Sequence, residues 1–383
     1  MAAITGLGFA LAAFLFTAFI AYYISVRLGL TIVVVEIILG IIIGPSFLGV
    51  VSYSESIQAV AELGAIFLLF VIGLNINFKE IYTLKNSIIA FCGVIVPFVS
   101  GYFLSFIFGY SLIQCMFIGT TLTATSIAIT AYVLKELNYL RSPIAKVIIG
   151  AAVVDDVLAL LILAITTSFS SGSVLSISFK IAIAVSYIFV TILIIPWIQK
   201  ILLWADKWGR KRGQERAILI LAIAIAFAYS AIAELIGLSA IVGAFLAGVT
   251  IPASALSKAK EGAEYLEMVF SAIFFVSIGI LVNLREVKLS LFLVLFIVVA
   301  IFSKIIGCMA SSLFYRFKPK EAFLIGVGMV PRGEMALVVG LIGLTSGIID
   351  QTLYGTIIAM TLITTIFSPL VLSTIIGNQT FKY

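Results

Sequence analysis

The chain has few charged side chains. Of its 383 residues, 10% are charged and 63% are apolar, against about 25% and about 45–50% in soluble proteins. A soluble domain needs polar groups over its surface, so this composition excludes a soluble enzyme, a nucleic-acid-binding protein and a disordered scaffold. It indicates a protein that crosses a membrane several times.

Histidine is absent and cysteine is rare. Without a histidine, any proton chemistry must use carboxylates, amines or water. Cys92, Cys115 and Cys308 all lie within apolar runs. This placement predicts inert, packed thiols rather than disulfides or metal ligands.

Long apolar runs dominate the chain. A bilayer core about 30 Å thick requires roughly 20 apolar residues per helix. Thirteen runs meet this description, which predicts an all-α polytopic membrane protein with 13 transmembrane helices. The predicted spans are 3–26, 30–50, 57–78, 87–109, 112–136, 142–168, 178–201, 215–235, 237–256, 264–284, 288–314, 320–347 and 351–376.

The basic residues fall mainly on one side of these spans. Loops and tail after odd-numbered spans hold 18 of the 23 lysines and arginines, and the opposite loops hold 3. The other two, Lys304 and Arg332, lie inside spans. Because cytoplasmic loops are enriched in basic residues, the N-terminus is predicted outside and the C-terminus inside. The run 207–216 is interpreted as a cytoplasmic loop whose charges set this topology rather than bind lipid or nucleotide.

Two halves of the chain resemble each other. Phe67–Asn77 and Ile273–Asn283 share an Ile-Gly pair and an Asn four residues later, at an offset of 206. Gly40–Gly44 and Ala244–Gly248 share small residues four apart, at an offset of 204. Seven spans, an odd number, separate the copies, which predicts inverted-topology repeats of spans 1–6 and 8–13 around a linker span 7.

Three ionisable side chains lie near the predicted bilayer centre, where each charge costs about 2.5–3.5 kcal/mol. Asp155 and Asp156 are adjacent in span 6, and Lys304 lies in span 11. Adjacent helical residues point about 100° apart, so one acid can face a neighbouring helix while the other faces a cavity. A carboxylate partner is expected for Lys304.

Spans 5 and 12 carry helix-weakening residues at the same depth. Span 5 contains Thr123, Thr125 and Ser126, whose hydroxyls compete with the backbone for hydrogen bonds. Span 12 contains Pro331, which cannot donate a helical hydrogen bond. Adding 206 to Thr123 gives position 329, beside Pro331. Two discontinuous helices are therefore predicted, and matching breaks of this kind point to an ion site.

Other charged residues accompany these features. Arg332 and Glu334 flank the break in span 12 and can offset the partial charges of exposed half-helix ends. Glu36 in span 2 could line a cytoplasmic entry funnel or reach the interface, and the residues leave both readings open.

The stretch 123–126, the pair Asp155-Asp156, Lys304 and the stretch 331–334 together resemble NapA-type sodium/proton antiporters of the second cation/proton antiporter family. The resemblance covers the whole chain. Kef-type potassium efflux proteins resemble it less, because they tend to carry Gln-Asp where this chain has Asp155-Asp156. They also carry a large nucleotide-binding domain that this sequence lacks.

The resemblance implies roles for these residues. Asp156 is the expected metal-cation and proton ligand, Asp155 pairs with Lys304, and Thr123 and its neighbours contribute where the broken helices cross. It further implies a homodimer with elevator-type alternating access. The implied divisions are scaffold helices in 1–86, core helices in 87–168, a linker helix and loop in 169–214, scaffold helices in 215–284 and core helices in 285–383.

The resulting hypothesis is a secondary active antiporter in which Na⁺ or Li⁺ competes with protons at Asp156. It predicts transport without enzymatic activity or cofactor, no nucleic-acid partner, and a multi-pass protein of a prokaryotic inner membrane. A potassium/proton antiporter and a sodium-coupled organic-anion symporter are the alternatives. An intramembrane aspartyl protease is disfavoured because it needs acids on two helices that face one water.

Overall fold

The computed structural model describes residues 6–75, 83–171, 175–211, 216–236, 238–251, 257–282 and 287–380. This part of the chain is helical and contains no strand, which confirms the all-α prediction there. Its fifteen helices are α1 (Leu7–Leu28), α2 (Ile32–Ile43), α3 (Glu55–Leu74), α4 (Leu84–Ile107), α5 (Leu112–Thr121), α6 (Ile127–Glu136), α7 (Pro143–Ser171), α8 (Leu175–Lys211), α9 (Arg216–Leu235), α10 (Ala240–Thr250), α11 (Ser257–Leu281), α12 (Leu291–Phe314), α13 (Pro319–Gly328), α14 (Glu334–Thr345) and α15 (Gln351–Thr380).

The number of helices exceeds the thirteen predicted because two predicted spans each contain two helices. The predicted span 112–136 holds α5 and α6, and the predicted span 320–347 holds α13 and α14. Within the described residues, eight helices are long and apolar enough to cross a membrane by themselves. The chain is therefore a multi-pass membrane protein built from long helices and shorter apolar ones.

Two of the shorter helices, α2 and α10, end sooner than their apolar runs suggest. Gly44, with ψ of −175°, ends α2 directly before Pro45. Ile251, with ψ of 124°, ends α10 directly before Pro252. The residue that precedes a proline is driven out of the helical region by contact with the ring. The predicted spans 30–50 and 237–256 were therefore too long. Pro45 and Pro252 already indicated in the sequence where the two helices end.

Helix α8 is longer than predicted. The apolar run ends near residue 201, but the helix continues to Lys211 over 37 residues. The interpretation of 207–216 as a loop is therefore wrong for residues 207–211. Lysine and arginine interrupt a hydrophobic run without interrupting a helix, because their intrinsic helix propensities are high.

The helices pack in two groups. In the first, α3 packs on α10 and α11, α2 on α11, α9 on α10, and α1 on α2 and α11. In the second, α12 packs on α4, α13 and α15, while α4 also contacts α5 and α7. Helix α6 contacts α2 and α3, and α15 contacts α2, so these helices form a seam between the groups.

Glycines of the repeated sequence stretches meet inside the first group. An added Cβ at Gly73 of α3 would collide with the carbonyl oxygen of Phe245 and the Cα of Gly248 in α10. An added Cβ at Gly40 of α2 would collide with the backbone of α11 beside Gly279. Glycine thus permits backbone-to-backbone contact at both places. The repeated Asn77 and Asn283 lie outside the described residues.

We expect Gly73→Ala to lower stability by about 1–3 kcal/mol, the usual cost of overpacking a close contact. The rigid backbone of α10 is the colliding group, so no side chain can move aside. The measurement is the midpoint of thermal unfolding in detergent. Gly8→Ala in α1 is the matched control, because nothing lies within 4 Å of the added Cβ. Equal midpoints for the two variants would contradict the assigned contact.

Candidate functional site

Two helix breaks define the site. Helix α5 ends at Thr121 and α6 begins at Ile127, which leaves residues 122–126 between them. Helix α13 ends at Gly328 and α14 begins at Glu334, which leaves residues 329–333 between them. Both breaks lie where the hydroxyl-rich and proline-containing stretches predicted them. Irregular backbone within a membrane protein has to be buried in protein or line a wet cavity.

The breaks are joined by hydrogen bonds. The backbone N–H of Ser126 donates to the carbonyl oxygen of Pro331 at 2.8 Å. The hydroxyls of Thr125 and Thr130 donate to the carbonyl oxygens of Met329 and Gly328, at 3.0 and 2.7 Å. Carbonyl oxygens that lose their helical partners at the second break thus accept hydrogen bonds from groups in or next to the first break.

Lys304 of α12 forms a buried ion pair with Asp155 of α7. The Lys304 Nζ lies 2.8 Å from the Asp155 Oδ1, and both side chains are 0% exposed. The same Nζ donates to the carbonyl oxygen of Thr123 at 2.6 Å. The sequence predicted a carboxylate partner for Lys304, and this pair supplies it. The ammonium therefore connects α7, α12 and the first break.

Asp156 lies beside this pair on α7. Its side chain is buried, with 4% exposure, and it follows Asp155 by about 100° of helix rotation. The two carboxylates consequently point in different directions. The second oxygen of Asp155, Oδ2, is buried and takes no part in the bond to Lys304, which is made by Oδ1. The site therefore has carboxylate acceptor capacity beyond what the Lys304 pair uses.

Arg332 supplies a second buried cation, in the break between α13 and α14. Its Nη1 donates to the carbonyl oxygens of Ala124 at 2.7 Å and Thr123 at 3.3 Å, and its Nη2 donates to that of Ala300 at 3.3 Å. The side chain is fully buried. A guanidinium next to the carbonyl oxygens of the first break can compensate their partial negative charge, and the charge-compensating role of Arg332 stays a prediction.

The structure shows which oxygens the threonines of the first break present. The hydroxyl of Thr123 donates to the carbonyl oxygen of Thr120 at 2.7 Å, so its backbone carbonyl, rather than its hydroxyl, faces Lys304. The hydroxyl of Thr125 is bound to Met329. Sequence alone could not choose between hydroxyl and carbonyl, because the choice depends on how the broken backbone turns.

Glu334 and Glu36 are the remaining predicted residues. The backbone of Glu334 begins α14, and its side chain lies outside the part of the chain that the structure describes. Glu36 of α2 is 3% exposed, and α2 contacts α6 and α15 at the seam. Glu36 thus lies on a helix that contributes to the seam between the two helix groups.

Helix α15 contributes hydroxyls that the sequence analysis missed. The hydroxyl of Thr364 accepts from the backbone N–H of Arg332 at 3.3 Å, and that of Thr365 donates to the Arg332 carbonyl oxygen at 2.7 Å. Ser368 donates to the carbonyl oxygen of Val327 at 2.7 Å. The three hydroxyl residues are spaced so that they lie on one side of α15 within an apolar run. That spacing was a signal in the sequence that this side of α15 binds the second break.

The seam contains a polar cluster that the sequence analysis also missed. Lys135 of α6 forms an ion pair with Glu267 of α11, with 2.5 Å between the Lys135 Nζ and the Glu267 Oε2. The Oε1 of Glu136 accepts from the backbone N–H of Ile32 at 2.8 Å. The sequence offered one sign of this cluster, because Glu267 is an acid inside a predicted span and a buried acid needs a partner. Both interactions tie α6 to the first helix group.

Comparison with known proteins bears on this arrangement. The sequence model described as "Sodium/hydrogen exchanger, transmembrane" matches residues 15–376, most of the chain. The chain belongs to the sodium/hydrogen exchanger family. The family-level prediction made from the breaks, the acid pair and Lys304 is therefore confirmed. Members of this family exchange monovalent cations for protons across membranes.

Relatives in the exchanger family match nearly end to end. A probable Na⁺/H⁺ antiporter of Bacillus cereus, GerT, is 34% identical over 88% of this chain and 90% of its own length. A Na⁺/H⁺-K⁺ antiporter of the same organism, GerN, is 32% identical over 97% and 96%. A Na⁺/H⁺ antiporter of Enterococcus hirae is 32% identical over 92% and 94%.

A solved exchanger structure shares the fold. The structure of the sodium proton antiporter MjNhaP1 from Methanocaldococcus jannaschii matches with a TM-score of 0.69 at 18% identity. The match covers 98% of this chain and 97% of that one. At this identity the likeness describes the fold alone.

Proposed function

We propose that this protein is a secondary active Na⁺(Li⁺)/H⁺ antiporter of a prokaryotic inner membrane, with no enzymatic activity and no cofactor. The observation that carries the proposal is the buried group formed by Asp156, the Asp155–Lys304 pair and the two joined breaks. Carboxylate and carbonyl oxygens are the ligands that hard cations prefer. The relatives' names agree with this assignment.

Competition at Asp156 couples the two flows. In our proposal the Asp156 carboxylate binds either a cation or a proton, and the site moves across the membrane when either is bound. Cation binding brings a positive charge beside Lys304, which weakens the ammonium–Asp155 pair and favours release of the lysine proton. Protonation of Asp156 and Lys304 restores the pair and expels the cation.

Charge counting then gives an electrogenic cycle. With protons bound, Asp156 is neutral and the Asp155–Lys304 pair has no net charge. With the cation bound, Asp156 and the cation cancel, Lys304 is neutral and Asp155 leaves one negative charge. Two protons therefore exchange for one cation, and each cycle moves one net charge. Arg332 stays charged throughout and offsets the negative state.

The architecture supports alternating access of an elevator type. The helix group α1–α3 with α9–α11 is the proposed scaffold, and the group containing the breaks is the proposed moving core. Both halves of the chain contain a helix that ends before a proline, α2 in one and α10 in the other, and glycines that allow close helix contact. These recurrences support inverted repeats. We propose them within a plan of thirteen spans that has its N-terminus outside. We propose a homodimer that assembles through the scaffold.

Potassium is the second candidate cation. GerN, 32% identical over nearly the whole chain, is named as a Na⁺/H⁺-K⁺ antiporter. Selectivity is tested with purified protein in liposomes that carry a preset pH gradient and a pH-sensitive dye. Na⁺, Li⁺ and K⁺ are added separately. We expect Na⁺ and Li⁺ to dissipate the gradient, whereas dissipation by K⁺ alone would overturn the sodium assignment.

The two-for-one stoichiometry predicts voltage dependence. One net charge gains about 2.3 kcal/mol per 100 mV, which equals about a 50-fold change in an ion ratio since about 1.4 kcal/mol is a factor of ten. An imposed potential should therefore shift the Na⁺ gradient at which net flux stops. The reversal point is measured in proteoliposomes clamped with potassium and valinomycin. A reversal point that ignores the potential would disprove electrogenic exchange while leaving antiport intact.

A further inference from the structure

All three tryptophans of the chain lie on one face of α8. Trp197, Trp204 and Trp208 are separated by seven and four residues, so they point within about 40° of one another on a helix of 3.6 residues per turn. Their exposed fractions are 73%, 68% and 39%. On another side of the helix, Leu202 is fully buried against the first helix group. Trp197 and Trp204 therefore point away from the protein.

Basic side chains follow the same edge of α8. Lys200, Lys207 and Lys211 are exposed and lie about 40–80° around the helix from Trp197. The face is thus aromatic along its centre and cationic along one border.

The length of α8 places this face at the membrane surface. Its 37 residues extend about 55 Å at 1.5 Å per residue, which exceeds the hydrocarbon thickness of about 30 Å. Part of the helix must therefore leave the hydrocarbon, and the last turns, which carry the exposed Lys207 and Lys211, are its polar end, at the depth where indole rings are enriched. An indole there buries its ring among acyl chains and donates its N–H to headgroup oxygens.

We infer that this Trp–Lys face binds the headgroups of anionic phospholipids. Basic side chains within a Debye length of an anionic surface attract its phosphates, and the indoles fix the depth of the helix. The inference rests on the multi-pass membrane placement of the chain and makes no use of its transport activity. It replaces the reading of these lysines as purely topological.

Tryptophan fluorescence tests the inference directly, because every tryptophan of the chain belongs to the face. The full-length protein is reconstituted into vesicles containing either brominated phosphatidylglycerol or brominated phosphatidylcholine at equal mole fraction. We expect stronger quenching by the anionic lipid, and we expect the difference to shrink as salt is raised. Equal quenching by the two lipids would remove the anionic preference.

Two charge-matched variants complete the test. Replacing Lys200, Lys207 and Lys211 with glutamine should bring quenching by phosphatidylglycerol down to that by phosphatidylcholine. Replacing the exposed Arg316, Lys318 and Lys320 with glutamine should leave the preference unchanged. A preference lost in both variants would indicate general charge attraction and overturn the site. Quenching by neither lipid would mean that protein, such as a second copy, covers the face.

Discussion

Asp156→Asn is expected to abolish cation-dependent proton release. Asparagine keeps the size and shape of the side chain but cannot ionise. It therefore cannot take up a proton or bind a cation by charge, and both competing ions lose their binding group. In proteoliposomes with a preset pH gradient, addition of Na⁺ or Li⁺ should give only the signal of protein-free vesicles. The proposed site assignment depends on this result.

A second readout separates loss of binding from loss of folding. A ligand that binds the folded state raises its stability as its concentration exceeds its dissociation constant, so Na⁺ should raise the melting midpoint of the parent protein. Asp156→Asn should melt normally without Na⁺ and gain nothing from it. Glu62→Gln, at an exposed site, serves as the control and should retain both responses. Full activity in Asp156→Asn would refute the site.

Lys304→Met is expected to destabilise the protein by about 3–5 kcal/mol, the usual consequence of leaving one member of a buried ion pair uncompensated. The Asp155 carboxylate would lose its ammonium partner at 0% exposure, and the Thr123 carbonyl oxygen would lose a donor. Thermal unfolding in detergent measures the change.

A double-mutant cycle identifies the origin of that loss. Adding Asp155→Asn to Lys304→Met removes the stranded charge and should recover part of the lost stability. Glu264→Gln breaks the exposed ion pair with Lys260 and should cost at most about 1 kcal/mol. If the double variant is no more stable than Lys304→Met alone, the buried charge is not the cause.

The positions of the breaks were predictable because local chemistry determines them. Pro331 removes a helical donor, and clustered threonines compete with the backbone, so both irregular segments were expected at 123 and 331. Burial energetics likewise required a partner for Lys304. Each of these inferences depends only on the energetic cost of one residue type inside a membrane. That cost can be judged from the sequence without knowledge of the fold.

Other features depend on the folded chain. The use of the Thr123 carbonyl rather than its hydroxyl follows from the turn that the backbone takes after Thr121. The pairing of Lys135 with Glu267 joins residues 132 apart, and no local pattern indicates it. The extension of α8 was missed because hydropathy reports where an apolar run ends, whereas a helix ends where its hydrogen bonds do.

The hydrogen bonds between the breaks have a consequence for the energetics of exchange. Ser126 and Thr125 join the first break to Pro331 and Met329 of the second, so the backbone oxygens of the two breaks would keep their mutual spacing in the movement proposed above. In the proposed elevator movement, a site that moves as one body would offer the cation the same intrinsic affinity on each side of the membrane. The ion gradients and the voltage set the net direction of any such exchange, so a fixed spacing of the oxygens would affect its rate and not its direction.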